Sequence, residues 1–170
     1  AAKDREQASH FVPTSIVAPP VCAAFVGRPA VEAMTSPIGN SRLTTVFAPA
    51  GSGKTMAVLY WFNQLKGAGR PGLWTAARAG IPDLRSYLLV LREAGVAAGL
   101  PWASLDPQGS DVGWLAALSA HQAQRPVLVV DDAQLLPDDV LAFLRKLIAT
   151  ARDAITTIIV SRSAIDIPLA

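Results

Sequence analysis

Two glycines, a lysine and a threonine stand close together in Ala48-Pro49-Ala50-Gly51-Ser52-Gly53-Lys54-Thr55. These residue types at this spacing suit the binding of a phosphate chain. Gly51 and Gly53 let the backbone curl so that successive N–H groups point inward. A helix starting at Lys54 would add the positive end of its dipole to that cradle. The Lys54 ammonium would reach β- and γ-phosphates, and the Thr55 hydroxyl is a hard oxygen ligand for Mg²⁺. The octapeptide fits the Walker A spacing G-x-x-x-x-G-K-[ST] except at its first position, where Ala48 replaces glycine. Alanine is tolerated there wherever φ stays negative. Pro49, Ala50, Gly51, Ser52, Gly53, Lys54, Thr55 and Met56 form the candidate nucleotide-binding segment. A Gly-rich turn carrying an ordinary surface lysine also satisfies the bare pattern; a strand before it and a helix after it would argue for the phosphate loop.

A second constellation is independent of the first. Val127-Leu128-Val129-Val130 runs straight into Asp131-Asp132, four apolar residues ending in paired acids, the Walker B pattern. At the carboxyl end of a strand Asp131 would hold Mg²⁺, and Asp132 would orient or polarise an attacking water. A turn or helix-capping Asp pair after a core strand is the plainer alternative. A further apolar stretch ends Val160-Ser161-Arg162, which makes Arg162 a candidate for reading the γ-phosphate or stabilising transition-state charge.

The elements that must position these groups follow from pattern. Arg42 to Ala48 is rich in β-branched and aromatic residues and reads as a buried strand. Lys54 to Lys66 repeats Met56, Leu59, Phe62 and Leu65 at helical spacing, with Gly67 as its stop. Gly72 to Ala76 is a short strand. Asp83 caps a helix carrying Leu84, Tyr87, Leu88 and Leu91, and Asp111 is expected to cap another, reaching about Gln122. Val127 to Asp131 is a strand, Pro137 opens a helix ending near Ala151, and Ile155 to Ser161 is the fourth strand. Pro29 is expected to open a helix over about 30 to 35, with Ser36-Pro37-Ile38-Gly39-Asn40 a loop. Residues 1 to 24, broken by Pro13, Pro19 and Pro20, read as an irregular arm, leaving 25 to 170 as one nucleotide-binding domain. Strands alternating with helices predict a parallel sheet with helices on both faces, an α/β three-layer fold. In the sheet order 2-3-4-1, the Arg162 strand lies between the phosphate-loop strand and the Asp131 strand.

Composition excludes several other classes. At 51% hydrophobic and 16% charged residues, the 170-residue chain is too apolar for disorder. One cysteine, Cys22, excludes an internal disulfide framework and a thiolate zinc site. No apolar run is long enough to span a bilayer, and no signal peptide is visible, so no membrane role and a cytoplasmic location are expected. The net charge is only +2, with no run of four basic residues, so no direct nucleic-acid surface is expected. Trp61, Trp74, Trp102 and Trp114 read as packing residues, and His10 and His121 have no partners that suggest a metal.

Together these segments resemble the STAND class of signal-transduction ATPases, an ASCE-type P-loop NTPase group. The likeness is nearest to the nucleotide-binding domain of maltose-regulator-type large ATP-binding LuxR-family transcription regulators. Four stretches carry it. Val26-Gly27-Arg28-Pro29 is similar to the upstream hydrophobic-Gly-Arg motif, so the resemblance implies that Val26 and Arg28 help place the adenine. Ala48 to Thr55 is similar to that group's phosphate loop, which commonly begins Ala-Pro-Ala-Gly. Val129 to Leu136 is similar to its paired-acid segment, and Ile159 to Arg162 to its arginine sensor strand. Ser52, Met56 and Pro29 depart from the group's common residues. The resemblance implies ATP/ADP and Mg²⁺ as ligands, slow hydrolysis, and a switch that rests with ADP and acts with ATP. It also implies a fifth strand beyond the phosphate-loop strand, C-terminal sensor and effector domains, and ATP-dependent assembly of the full-length protein. None of those extra parts fits in this chain, which therefore reads as truncated at its C-terminal end.

Two other readings stay open. An AAA+ ATPase commonly carries Glu where this chain has Asp132, and a P-loop kinase usually carries an arginine-rich lid that is not apparent here. A non-catalytic module holding nucleotide for stability would keep the phosphate loop and lose turnover.

Overall fold

The computed structural model describes residues 16, 18–20, 28–77, 80–120 and 124–165, with only the backbone at Arg152. The elements run α1 (Pro29–Ala33), α2 (Thr35–Asn40), β1 (Leu43–Phe47), α3 (Lys54–Gly67), β2 (Gly72–Ala76), α4 (Leu84–Ala97), α5 (Asp111–Ser119), β3 (Val127–Asp131), α6 (Asp138–Ala151) and β4 (Thr156–Ser161). Short 3-10 turns at Ala133–Leu135 and Arg152–Ala154 flank α6. The four strands form one parallel sheet ordered β1-β4-β3-β2, which is the expected 2-3-4-1 read from the other edge.

Alternation along the strands builds the two helical layers. Leu73, Leu128, Val130 and Ile159 point to one face, where they pack with Tyr87 and Leu91 of α4, Trp114 of α5 and Phe143 and Leu144 of α6. Trp74, Val127, Val129, Ile158 and Val160 point to the other, against Val58, Leu59, Phe62 and Leu65 of α3 and Ile38 of α2. Because β3 and β4 are buried along their whole length, they carry consecutive apolar residues, Val127 to Val130 and Ile158 to Val160, rather than alternating ones. Each fully buried aliphatic or aromatic side chain here contributes roughly 1.5–3 kcal/mol, and this core outweighs local propensity wherever the two disagree.

Such disagreements occur at several places. Residues 36–40 form helix α2 instead of a loop. Pro37 falls in its first turn, where no intrahelical N–H is required, and Ile38, 1% exposed, anchors the helix to the core. A Cβ on Gly39 would stand 2.8 Å from Leu65 Cδ2, so glycine allows α2 to sit directly on α3. The opening helix is correspondingly short, ending at Ala33. Strand β1 is an edge strand, with Thr45 exposed and Phe47 46% exposed, and is not buried throughout. Ser110, not Asp111, caps α5: its hydroxyl accepts from Gly113 N at 3.4 Å, and Asp111 begins the helix. That helix ends at Ser119, and the expected continuation over 121–122 lies outside the described residues. Asp83 does cap α4, accepting from Ser86 N at 2.8 Å. Met56 is half-buried, whereas Val58 and Trp61 take the inner positions of α3.

The Arg70 guanidinium is tied into the fold by three hydrogen bonds. It donates from Nε to Arg125 O (2.7 Å), from Nη1 to Gly39 O (3.0 Å) and from Nη2 to Thr156 Oγ1 (2.7 Å). It thereby clasps the segments leading into β1, β3 and β4 at the end of the sheet opposite the phosphate loop. Burial, with the Arg125 cation second, lowers its guanidinium pKa from 12.5 to about 10.

Candidate nucleotide-binding site

In a parallel sheet all strand ends of one kind share an edge. The carboxyl ends of β1, β4 and β3 follow one another across this sheet, with Phe47 opposite Ser161 and Val130 opposite Ile159. The sequence candidates from three separate stretches are thus brought to one edge. Ala48 N still donates to Ser161 O at 3.4 Å before the chain leaves the sheet.

The loop from Pro49 to Gly53 is exposed, and it turns on two left-handed glycines, Gly51 (φ 79°) and Gly53 (φ 82°). A Cβ at either would meet nothing within 4 Å, so glycine is needed there for its conformation and not for space. Gly53 is the N-cap of α3 and brings no side-chain acceptor to the first N–H groups of the helix. Those donors are left to whatever anion the loop encloses. Lys54 is 9% exposed, and its Nζ bends back to Pro49 O at 3.4 Å. Thr55 and Met56 follow on the first turn, both half-buried.

At the end of β3, Asp131 is 6% exposed and accepts from the N–H of Asp132 at 2.9 Å. Asp132 is 1% exposed and takes a left-handed backbone conformation, φ 52° and ψ 40°. Aspartate tolerates that region better than most residues. Asp132 Oδ1 lies 3.4 Å from Arg162 Nε at the end of β4. Arg162 and Asp132, remote in sequence, are therefore in direct contact.

Gln134 has no place among the sequence candidates. Its Nε2 donates to Asp132 Oδ1 at 3.2 Å, while its Oε1 accepts from Arg162 N at 3.0 Å and from Ser161 Oγ at 3.1 Å. The available signal was its position three residues after Asp131, one turn past the paired acids.

Arg28 is exposed, and its carbonyl caps α1 by accepting from Val31 N and Glu32 N. Val26 lies outside the described residues, as do Cys22, His10 and His121. Helix α1 is held on α3 by Trp61 Nε1, which donates to Val31 O at 2.6 Å. A groove of about 390 Å³ lined by Glu32, Thr35, Asn40, Gln64 and Arg70 lies at the far end of α3. It stands ten residues along the helix from Lys54, roughly 15 Å away, so it is separate from the phosphate loop.

The donor set suits Mg²⁺: a threonine hydroxyl and carboxylates are hard oxygens. Among the described residues no group of three or more His, Cys, Asp or Glu could by itself hold a metal.

A parallel α/β sheet with a glycine loop feeding a helix, and paired acids at the end of a strand one place removed from the loop's own strand, defines the P-loop nucleotide-binding ATPases. The chain belongs to the AAA domain family, whose model matches residues 38–165. No curated protein sequence matches the chain. Among solved structures, the crystal structure of Pif1 helicase from Candida albicans is similar with a TM-score of 0.45 and 15% identity, over 84% of this chain and 35% of that one. The chain thus spans about a third of that helicase's length. No helix among the described residues is long and apolar enough to cross a membrane.

Proposed function

We propose that the chain binds Mg-ATP and hydrolyses it slowly, as the switch domain of a signal-transducing ATPase of the STAND class. The observation that supports this most is the meeting of Asp132 with Arg162 on the sheet edge that also carries the phosphate loop. Residues 49–56 cradle the phosphates, with Lys54 supplying charge. Thr55 and Asp131 hold the magnesium, which neutralises phosphate charge when bound. Asp132 orients the water. In the reaction, the water oxygen forms a bond to the γ-phosphorus, the bond to the β–γ bridging oxygen breaks, and the water proton passes towards the carboxylate. Arg162 reads the γ-phosphate, so its pairing with Asp132 differs between ADP and ATP states. Val26 and Arg28 contact adenine in this reading, which takes 25–170 as the nucleotide domain and 1–24 as an arm. As part of a LuxR-type regulator in the cytoplasm, the domain would pass its state to C-terminal sensor and effector domains.

Equilibrium titration of the chain with ADP and Mg-ATP, beside Lys54→Ala, tests this. Binding weakened in the variant, with slow phosphate release by the parent chain, is expected. Equal affinity in both would remove the phosphate loop from the reading.

The family match favours a second reading, an AAA+ ATPase that works as a ring. Sedimentation with and without Mg-ATP separates the two. Assembly of this chain alone into a closed oligomer on ATP binding favours the ring, and a monomer in both states favours the switch.

A further inference from the structure

We propose that Gln134 is a positioning residue that keeps the Asp132 carboxylate aimed by tying it to the backbone at the end of β4. This rests on the reading of Asp132 as the group that orients water. The residue lies in the 3-10 turn Ala133–Leu135, between the left-handed Asp132 and Leu136. Ala133 is fully buried and Leu136 is 7% exposed, so the turn is pinned on both sides of Gln134.

The chemistry of the bridge admits few side chains. On one side stands the Arg162 N–H, which can only donate; on the other stands the Asp132 carboxylate, which can only accept. A group joining them must accept at one end and donate at the other, at a fixed separation. The primary amide of glutamine does this, and the two neighbours fix which end is oxygen and which is nitrogen. A carboxylate cannot donate to Asp132, and an aliphatic chain can do neither.

Division of labour follows from the exposures. The Arg162 side chain is 47% exposed and that of Asp132 1% exposed, so phosphate oxygens can compete for the guanidinium. The Gln134 amide is neutral and anchored to the Arg162 backbone rather than to its side chain. It holds Asp132 in place while the guanidinium turns to phosphate. Gln134 contacts the charged residues Asp132, beside it in the same turn, and Arg162, just past the end of β4.

The test compares Gln134→Ala and the near-isosteric Gln134→Glu with the parent chain, measuring Mg-ATP affinity and single-turnover phosphate release from pH 6 to 9. For Gln134→Ala we expect affinity within about twofold of the parent and a rate lower by at least about tenfold. For Gln134→Glu we expect a similar loss at pH 8. Its rate relative to the parent then climbs as pH falls. The introduced carboxyl, beside the Asp132 charge, titrates above the ordinary value of about 4.3 and regains one donor on protonation. A role in stability alone leaves that ratio independent of pH. A parent-like rate in Gln134→Ala, or a flat ratio in Gln134→Glu, overturns the proposal. If Asp132→Asn is inactive while both Gln134 variants behave as the parent, Gln134 alone is removed. If the parent does not turn over, or Asp132→Asn keeps the parent rate, the role of Asp132 goes and this inference with it.

Discussion

Arg162 Nε stands 3.4 Å from Asp132 Oδ1, joining a half-exposed guanidinium to a carboxylate that is 1% exposed. The pair is lopsided: solvent screens the arginine, so the contact contributes little to stability, about 1 kcal/mol or less. Its value lies in placement. Arg162→Ala should therefore melt within a few degrees of the parent, as read by circular dichroism. In the proposed mechanism it should lose on the order of 10²–10³ in turnover, because a charge aimed at the γ-phosphate is gone. Arg162→Lys keeps the charge but not the planar fork, and should recover only part of the loss. A parent-like rate in Arg162→Ala would exclude the residue from the reaction.

Gly53 and Lys54 separate conformation from charge at adjacent positions. Gly53→Ala forces a side chain into φ 82° with nothing within 4 Å to clash with. Its cost is conformational, about 1 kcal/mol, and the re-aimed N–H groups should weaken Mg-ATP binding. Lys54→Ala removes a side chain that makes a 3.4 Å hydrogen bond within its own loop. It should leave thermal stability unchanged and weaken Mg-ATP at least about tenfold, equivalent to about 1.4 kcal/mol, in a fluorescence titration.

The phosphate loop, all four strands and their order were legible because each depends on contiguous residues or on a simple alternation rule. Gly51, Gly53 and Lys54 announce themselves within one turn, and the apolar run before Asp131 is a buried strand on any reading. What stayed hidden depends on tertiary contact. Gln134 gains its meaning only when β4 is laid beside β3. Helix α2 was obscured by Pro37 and Gly39, which look like loop residues until Ile38 and Leu65 are seen to pack there. Nothing in its immediate neighbours marks Arg70, and its three acceptors come from segments up to 86 positions away. The exposure of β1 follows from its edge position, which its own β-branched composition does not reveal.

Trp102 and Gly95 give a prediction independent of nucleotide. A loop composition surrounds Trp102, but it is 1% exposed and stacks edge-on to Trp114 at 6.4 Å between ring centres. A Cβ on Gly95 would fall 1.9 Å from Trp102 Cε3, inside the ring's own volume. Gly95→Ala must push the indole out or shift α4, so helix propensity, which favours alanine by about 1 kcal/mol, loses to overpacking of roughly 1–3 kcal/mol or more. Urea unfolding should show a lower midpoint at unchanged slope. A stabilised variant would mean that the Trp102 pocket is looser than this packing.

Tyr87 makes the fold sensitive to alkali. It is fully buried between β2 and α6, with Thr75 Oγ1 3.4 Å from its hydroxyl and the Phe143 ring 6.5 Å away, edge to face. Burial pushes its phenol from 10.0 up to about 12, against a smaller lowering by the Thr75 hydroxyl. In the unfolded chain the phenol ionises near pH 10, whereas in the folded chain it keeps its proton to about 12. Between those values the unfolded state binds fewer protons, so stability falls as pH rises. The loss attributable to this group reaches roughly 2 kcal/mol by pH 12 and fades out below about pH 10. Tyr87→Phe removes it. At pH 8 that variant should sit within about 1 kcal/mol of the parent, since the hydrogen bond lost is long and Thr75 keeps its 3.1 Å bond to Val129 O. Urea midpoints at pH 8, 10 and 11 should fall less steeply for Tyr87→Phe than for the parent, with the other tyrosine, Tyr60, common to both. Parallel curves would show that the phenol ionises alike in the folded and unfolded chains.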